Sequence, residues 1–231
     1  LNSIIADSFN YFSERLEKAT DVDAEKKSII ADTLSEHGRV VFNGNNYSKE
    51  WTEEAKRRGL PIIQDSVQAF EAMINTKNME LFERLGILSK EECRARYEIQ
   101  LEGYVKEVTI EANTLKQIIE RQILPAVEGE VGRIAYNYNQ VKKAGIENQS
   151  MKKQVEKISG FYTSIQQSTE KLNESIAHIS EIETTKGKAE YLRDTVLKIM
   201  GEIRVHCDNC EAHVSPNVWP IPSYHQLLYY I

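Results

Sequence analysis

Residues 151–179, MKKQVEKISGFYTSIQQSTEKLNESIAHI, decide the fold. Met151, Val155, Ile158, Tyr162, Ile165, Thr169, Leu172, Ile176 and Ile179 alternate steps of four and three without a slip. That spacing is a heptad seam on a helix of about 30 residues, roughly 45 Å long at 1.5 Å per residue. A seam this long needs partners, and the flanking sequence supplies them. Upstream, Tyr97, Leu101, Tyr104, Val108, Ala112, Leu115 and Ile119 step at helical spacing, and Val127, Val131, Ile134, Tyr138 and Val141 continue the stripe to Gly145. Between them stands Pro125, flanked by apolar residues and no turn-formers, which predicts a kinked continuous helix, with a true break as the alternative. Downstream of a break at Thr184 to Gly187, Ala189, Leu192, Val196, Ile199, Ile203, Cys207, Cys210 and Val214 mark a last long helix.

Toward the N-terminus the elements shorten. Ile4, Ile5, Phe9, Phe12 and Leu16 define a first helix ending near Thr20-Asp21, and a second runs from Ala24 to about Leu34. Val40-Val41-Phe42 reads as a short strand-like stretch. It leads into Asn43-Gly44-Asn45-Asn46, where Asn-Gly suits a tight turn with positive φ. Ser48 caps the next helix, which Gly59 and Pro61 end. Asp65 with Gln68, and Ser89 with Glu92, fit the capping-box spacing. The tail, Trp219 to Tyr224, is held extended by its prolines before a short apolar turn. The fold class is therefore mainly α, an elongated antiparallel helical bundle with long heptad-patterned helices and at most one short strand.

Composition agrees. Of 231 residues, 28% are charged and only 11 are Gly and 5 Pro, which favours long helices with solvated outer faces. The net charge of −6 argues against non-specific nucleic-acid binding. No apolar run approaches the roughly 20 residues of a membrane span, and nothing before Asp7 resembles a signal peptide. Three cysteines without a spaced framework suggest reduced thiols and a cytoplasmic setting. Leu1 in place of Met suggests a piece of a longer protein.

Few residues suggest chemistry. His206, Cys210 and His213 fall within about 60° of one another on a helix, which could begin a zinc site. Cys207 and Cys210 also lie on the apolar stripe, where a free Cys packs as a small hydrophobe, and one helix cannot close a tetrahedron. Core packing with two flanking histidines is the favoured reading. The Asn43-Gly44 turn lacks the Lys-Ser/Thr pair of a P-loop and reads as structural. Lys142-Lys143 and Lys152-Lys153 read as a solvated bundle end. His37, Arg39 and His178 read as cap, loop or surface residues. Glu53-Glu54 and Glu91-Glu92 occupy first turns of helices, where they complement the dipole.

Several segments, in order, resemble the C-terminal portion of type III glutamine synthetase. The most specific is FNGNNYSKEWTEEAKRRGLP, Phe42 to Pro61. RYEIQLEGYVKEVTIEA at Arg96 to Ala112, RQILPAV at Arg121 to Val127, AEYLRD at Ala189 to Asp194 and WPIPSYHQLL at Trp219 to Leu228 follow, with LNSIIADSF at the start. Gly129 to Lys186 matches only in helical character, and Cys207 and Cys210 depart from the family's pattern. The resemblance implies a parent enzyme that joins ammonium to glutamate at the expense of ATP, with Mg²⁺ or Mn²⁺, inside a ring-shaped homo-oligomer. It implies that residues 1–41 are terminal helices of the catalytic domain, 42–88 a connecting turn and short helices, and 89–231 a C-terminal bundle. None of the family's catalytic motifs has a matching position, so no catalytic, cofactor-binding or metal residue is assigned in this chain. The contact partners implied are the rest of the synthetase chain and neighbouring subunits, with no nucleic acid and no membrane. A stand-alone helical scaffold presenting its heptad seams to protein partners is the alternative.

Overall fold

In a computed structural model, residues 1–222 and 224–229 are described, with backbone alone at Tyr224 and His225. Ser223, inside the expected extended tail, lies outside them. Among the described residues the regular structure is helical, with no strand. Contacts divide the chain into two units, Leu1–Gln100 and Leu101–Ile231, and the division falls inside a helix.

The second unit is built on the decisive stretch. Helix α8 (Gln149–His178) starts at Asn148, whose side chain accepts the Met151 amide at 3.1 Å, and ends in a 3-10 turn, Ile179–Glu181. Ile158, Ile165, Leu172 and Ile179, a seven-residue repeat, are buried, as are Ser168, Thr169 and Ser175 beside them. So wide a buried face serves two neighbours, α7 (Leu124–Lys143) and α10 (Leu197–Glu211). Thr169 is tolerated in the seam because its hydroxyl donates to the Ile165 carbonyl at 2.7 Å. Each fully buried aliphatic side chain contributes about 1.5–3 kcal/mol, so the seam is one of the larger contributions to this unit's stability.

The helix around Pro125 is continuous, as the sequence suggests. Helix α6 (Lys90–Ile118) passes through a π-turn, Ile119–Ile123, into α7. The Leu124 amide reaches back to the Ile119 carbonyl, one residue further than in an α-helix. The wide turn sits where Pro125 lacks an N–H and would crowd the carbonyl four residues back. It also corrects phase. Steps of four from Leu115 through Ile119, Ile123 and Val127 each overrun a 3.6-residue turn by about 40°, and the π-turn, by taking up one extra residue, offsets about 100° of the accumulated overrun. A second π-turn, Leu192–Val196, joins α9 (Thr185–Tyr191) to α10. Ser89 and Glu92 cap α6 reciprocally: the Ser89 amide donates to the Glu92 carboxylate at 2.7 Å and the Glu92 amide to the Ser89 hydroxyl at 3.1 Å. Thr184 caps α9 through the Gly187 amide, and a Cβ on Gly187 would sit 2.9 Å from the capping hydroxyl. The tail closes with a five-residue helix, α11 (Tyr224–Leu228), where a turn is expected.

The first unit contains α1 (Asn2–Lys18), α2 (Val22–His37), α3 (Lys49–Arg57), α4 (Ser66–Met73), α5 (Thr76–Arg84) and the opening of α6. Asp21 caps α2, Ser48 caps α3 and Asp65 caps α4. Two readings are corrected here. Val40-Val41-Phe42 is no strand: Gly38–Val40 is a 3-10 turn, and Arg58 takes the Arg39 and Val41 carbonyls that a sheet would have paired. Positive φ occurs at Gly59, Gly86 and Gly145, not at Gly44. Gly44 is small for another reason, since a Cβ there would meet the Phe42 ring at 2.6 Å.

Candidate interaction surface

The α1–α2 hairpin is locked by one residue. Arg15 on α1 donates from Nε to Glu25 at 2.6 Å and from Nη1 to Asp32 at 2.9 Å, both on α2, with Tyr11 and Ser28 completing its shell. Arg84 of α5 pairs with Asp7 of α1 at 2.8 Å. These charges orient an amphipathic helix, yet α1 has no buried residue. Phe9 is 67% exposed, and Ile30 and Leu34 of α2 are 60% and 61% exposed. Phe12, Leu16, Ile29, Ile30 and Leu34 line an open groove of 450 Å³.

A second surface element follows. The Phe42 ring packs on Trp51 at 4.8 Å between centroids, with the Arg58 guanidinium 6.0 Å from the Phe42 ring centre. Arg58 also donates from Nε to Glu54 at 2.6 Å and from Nη1 to the Arg39 and Val41 carbonyls at 3.0 and 2.7 Å. The paired guanidinium groups of Arg57 and Arg58 push the Glu54 carboxyl down to about 2. One side chain thus ties both ends of the Phe42–Pro61 segment, leaving Tyr47 wholly exposed at its tip.

The second unit offers no comparable face on its central helix. The α8 seam, which a partner-binding scaffold would leave open, lies between α7 and α10. Among the described residues one carboxylate of this unit is buried, Glu130 on α7, and it pairs with Arg133 at 2.8 Å. Arg133 holds the Glu130 carboxyl below the usual carboxylate range against the opposing effect of burial, and the Ser215 backbone N–H adds to the depression. Trp219 is buried close by in sequence, its indole nitrogen without a partner among the described residues.

The residues singled out from sequence are scattered. Cys210 is buried on α10, but His213 lies past the helix end, stacked on Phe161 at 5.6 Å. Among the described residues no three His, Cys, Asp or Glu side chains converge as a metal-ion set. Burial pushes the Cys207 thiol up to about 12 and the Cys210 thiol up to about 11, so both behave as core groups. His178 bonds Glu181 at 2.7 Å and meets the Tyr191 ring edge-on. Glu91, Lys142, Lys143, Lys152 and Lys153 are exposed at helix ends, and Glu92 acts as a cap. Sequence reading missed Arg15 and Arg58, whose partners on other elements lie 10 to 19 residues away and leave no local signal. It also missed Glu130, which had one: it steps three from Val127 and four to Ile134, onto the apolar stripe. No described helix is long and apolar enough to cross a membrane.

Comparison with known proteins bears on the whole chain. A type-3 glutamine synthetase of Dictyostelium discoideum is 32% identical over 99% of this chain and 32% of its own length. A glutamine synthetase of Butyrivibrio fibrisolvens is 31% identical over 88% of the chain and 29% of its own length. One from Bacteroides fragilis is 26% identical over 99% and 33%. The chain thus spans about a third of the length of the curated relatives it matches. The family model described as the glutamine synthetase C-terminal domain matches residues 25–142, half of the sequence and both units. By that match the chain belongs to the glutamine synthetase C-terminal domain family, as the ordered segments from Phe42 to Leu228 implied.

Proposed function

We propose that this chain is the helical C-terminal portion of a type III glutamine synthetase that ligates ammonium to glutamate at the expense of ATP. The observation that carries the reading is the alignment of 99% of the chain with about a third of a type-3 enzyme. ATP and Mg²⁺ or Mn²⁺ bind in the remainder of the parent, where carboxylates converge on the cation and Arg residues hold phosphoryl oxygens. Residues 1–41 belong with the catalytic domain, 42–88 connect, and 89–231 form the C-terminal bundle. The bundle's role is structural, shaping contacts within a ring-shaped homo-oligomer in the cytoplasm. The buried α8 seam supports a self-supporting element over an open scaffold.

The test compares the full-length parent, a parent lacking residues 89–231, and the 231-residue chain. Full-length protein should release phosphate from ATP only with glutamate and ammonium together. The 231-residue chain should release none, and the deletion should lose assembly by light scattering. Synthetase activity in the 231-residue chain, or full activity and intact assembly after deletion, would overturn the reading.

A further inference from the structure

Between α6, the C-terminal end of α8 and α9, the second unit carries an open groove of 460 Å³ walled by Val105, Ile110, Ile176 and Ile179. That volume lies within the roughly 300–1,000 Å³ of small-molecule sites. The charged groups on it are of one sign. Lys106 and Lys188 border the groove and no carboxylate does, in a chain with 35 acidic residues against 29 Lys and Arg. Lys106 meets Glu102 only at 3.8 Å, from a side chain 75% exposed. Lys188 is half-buried and makes no ion pair among the described residues. Thr109, on the same groove, adds an independent observation. Thr114, Thr163 and Thr169 each donate to the carbonyl four residues back, at 2.8, 3.1 and 2.7 Å. The Thr109 hydroxyl is buried and has no such bond, nor any other partner among the described residues. A buried hydroxyl left unpaired costs free energy that an acceptor on a ligand recovers.

We propose that this groove binds a small amphipathic monocarboxylate, its hydrocarbon body on the four apolar side chains and its carboxylate taken by Lys188, Lys106 and the Thr109 hydroxyl. The apolar walls disfavour a wholly polar anion. No arginine borders the groove to offer the fork that a phosphate favours, whereas two ammonium groups and one hydroxyl suit the acceptor sites of a carboxylate. The inference concerns this chain alone and stands whether or not the proposed parentage holds.

The test titrates sodium octanoate into the 231-residue chain by calorimetry, where it should bind once per chain with a Kd of about 0.5 mM. Octan-1-ol, with the same body and no charge, and butyrate, with the same charge and a shorter body, should each bind at least about tenfold more weakly. Lys188→Gln should weaken octanoate about tenfold and Thr109→Val about threefold, with circular dichroism unchanged. Lys106→Gln, at an exposed position, should weaken it about threefold and carries the test if Lys188→Gln fails to fold. Octanoate bearing a diazirine at its chain end should attach within residues 105–110 or 176–180. No saturable binding up to about 10 mM would overturn the proposal. So would equal affinity for octan-1-ol, affinity unchanged by both lysine substitutions, or attachment confined to the α1–α2 groove. Self-association that octanoate does not displace and Lys106→Gln abolishes would give the groove to a second copy and overturn it as well.

Discussion

Glu130 shows what one misplaced-looking residue does. It sits on an apolar stripe, nearly buried, and its carboxylate is bound by Arg133 with help from the Ser215 backbone. Removing it strands a backbone amide at the turn that precedes Trp219. Glu130→Ala should therefore cost about 1–3 kcal/mol in chemical denaturation followed by Trp emission, and Glu130→Gln less, since its amide oxygen still accepts. The pH dependence has a definite sign. A carboxyl held low in the folded state stabilises fully above its unfolded value of about 4.3, and the contribution is lost as pH falls through the folded value. The difference between the native chain and Glu130→Gln should shrink steadily below roughly pH 4. A difference that stays constant with pH would show that the charge contributes nothing. Glu130 was missed although its three-and-four spacing marks it; the roles of Arg15 and Arg58 left no such mark, because their partners on other elements meet them only after the chain turns.

At the scale of the element, the π-turn at Ile119–Ile123 decides which residues of α7 face inward. It holds one residue more than an α-helical turn, and by taking up that residue it keeps everything after it in phase with α6. Deleting Gln122, which is exposed, should convert the turn to α geometry, leave Val127 and Ile134 facing inward and restore the crowding at Pro125. The expected outcome is a destabilisation of the second unit by about 3 kcal/mol from that crowding, whereas Gln122→Ala leaves the transition within about 0.5 kcal/mol. Near-native stability of the deletion would show that the π-turn is not what seats the proline. Sequence reading reached the continuity of this helix, from the apolar residues flanking Pro125, but not the π-turn. Steps of four and three look alike on a helical wheel until several fours accumulate. The heptad seam of α8 was legible at Ile158, Ile165, Thr169, Leu172 and Ile179, whose burial follows from its period, while Met151, Val155, Tyr162 and Ile176 are only partly buried and the buried Ser168 and Ser175 were not read. The strand-like Val40–Phe42 was misread, because β-branched residues report extended backbone and not the presence of a neighbouring strand.

For the whole molecule, the uneven core sets a hierarchy of stability. Helices α6 to α10 close around one hydrophobic cluster running from Val108 to Trp219. The first unit has few buried groups and depends on capped short helices and charge pairs near the surface, interactions worth roughly 0–1 kcal/mol each when exposed. In the 231-residue chain, amide protons of α1 to α5 should exchange by local opening, while those of Ile158, Ile165 and Leu172 exchange only with global unfolding. Hydrogen exchange by mass spectrometry checks this, and equal protection of α1 and α8 would contradict it. Family membership was readable from short ordered segments because they carry caps, turns and packed aromatics whose identities are constrained. The surface left over for a partner was not readable, because exposure of Phe9 or Leu34 depends on what else is present. It is also what quality control would see first. A copy of this chain whose α1–α2 face is open presents apolar helices to chaperones and proteases however well its bundle is packed, so its lifetime in a cell is set by α1 and α2 and not by its most stable part.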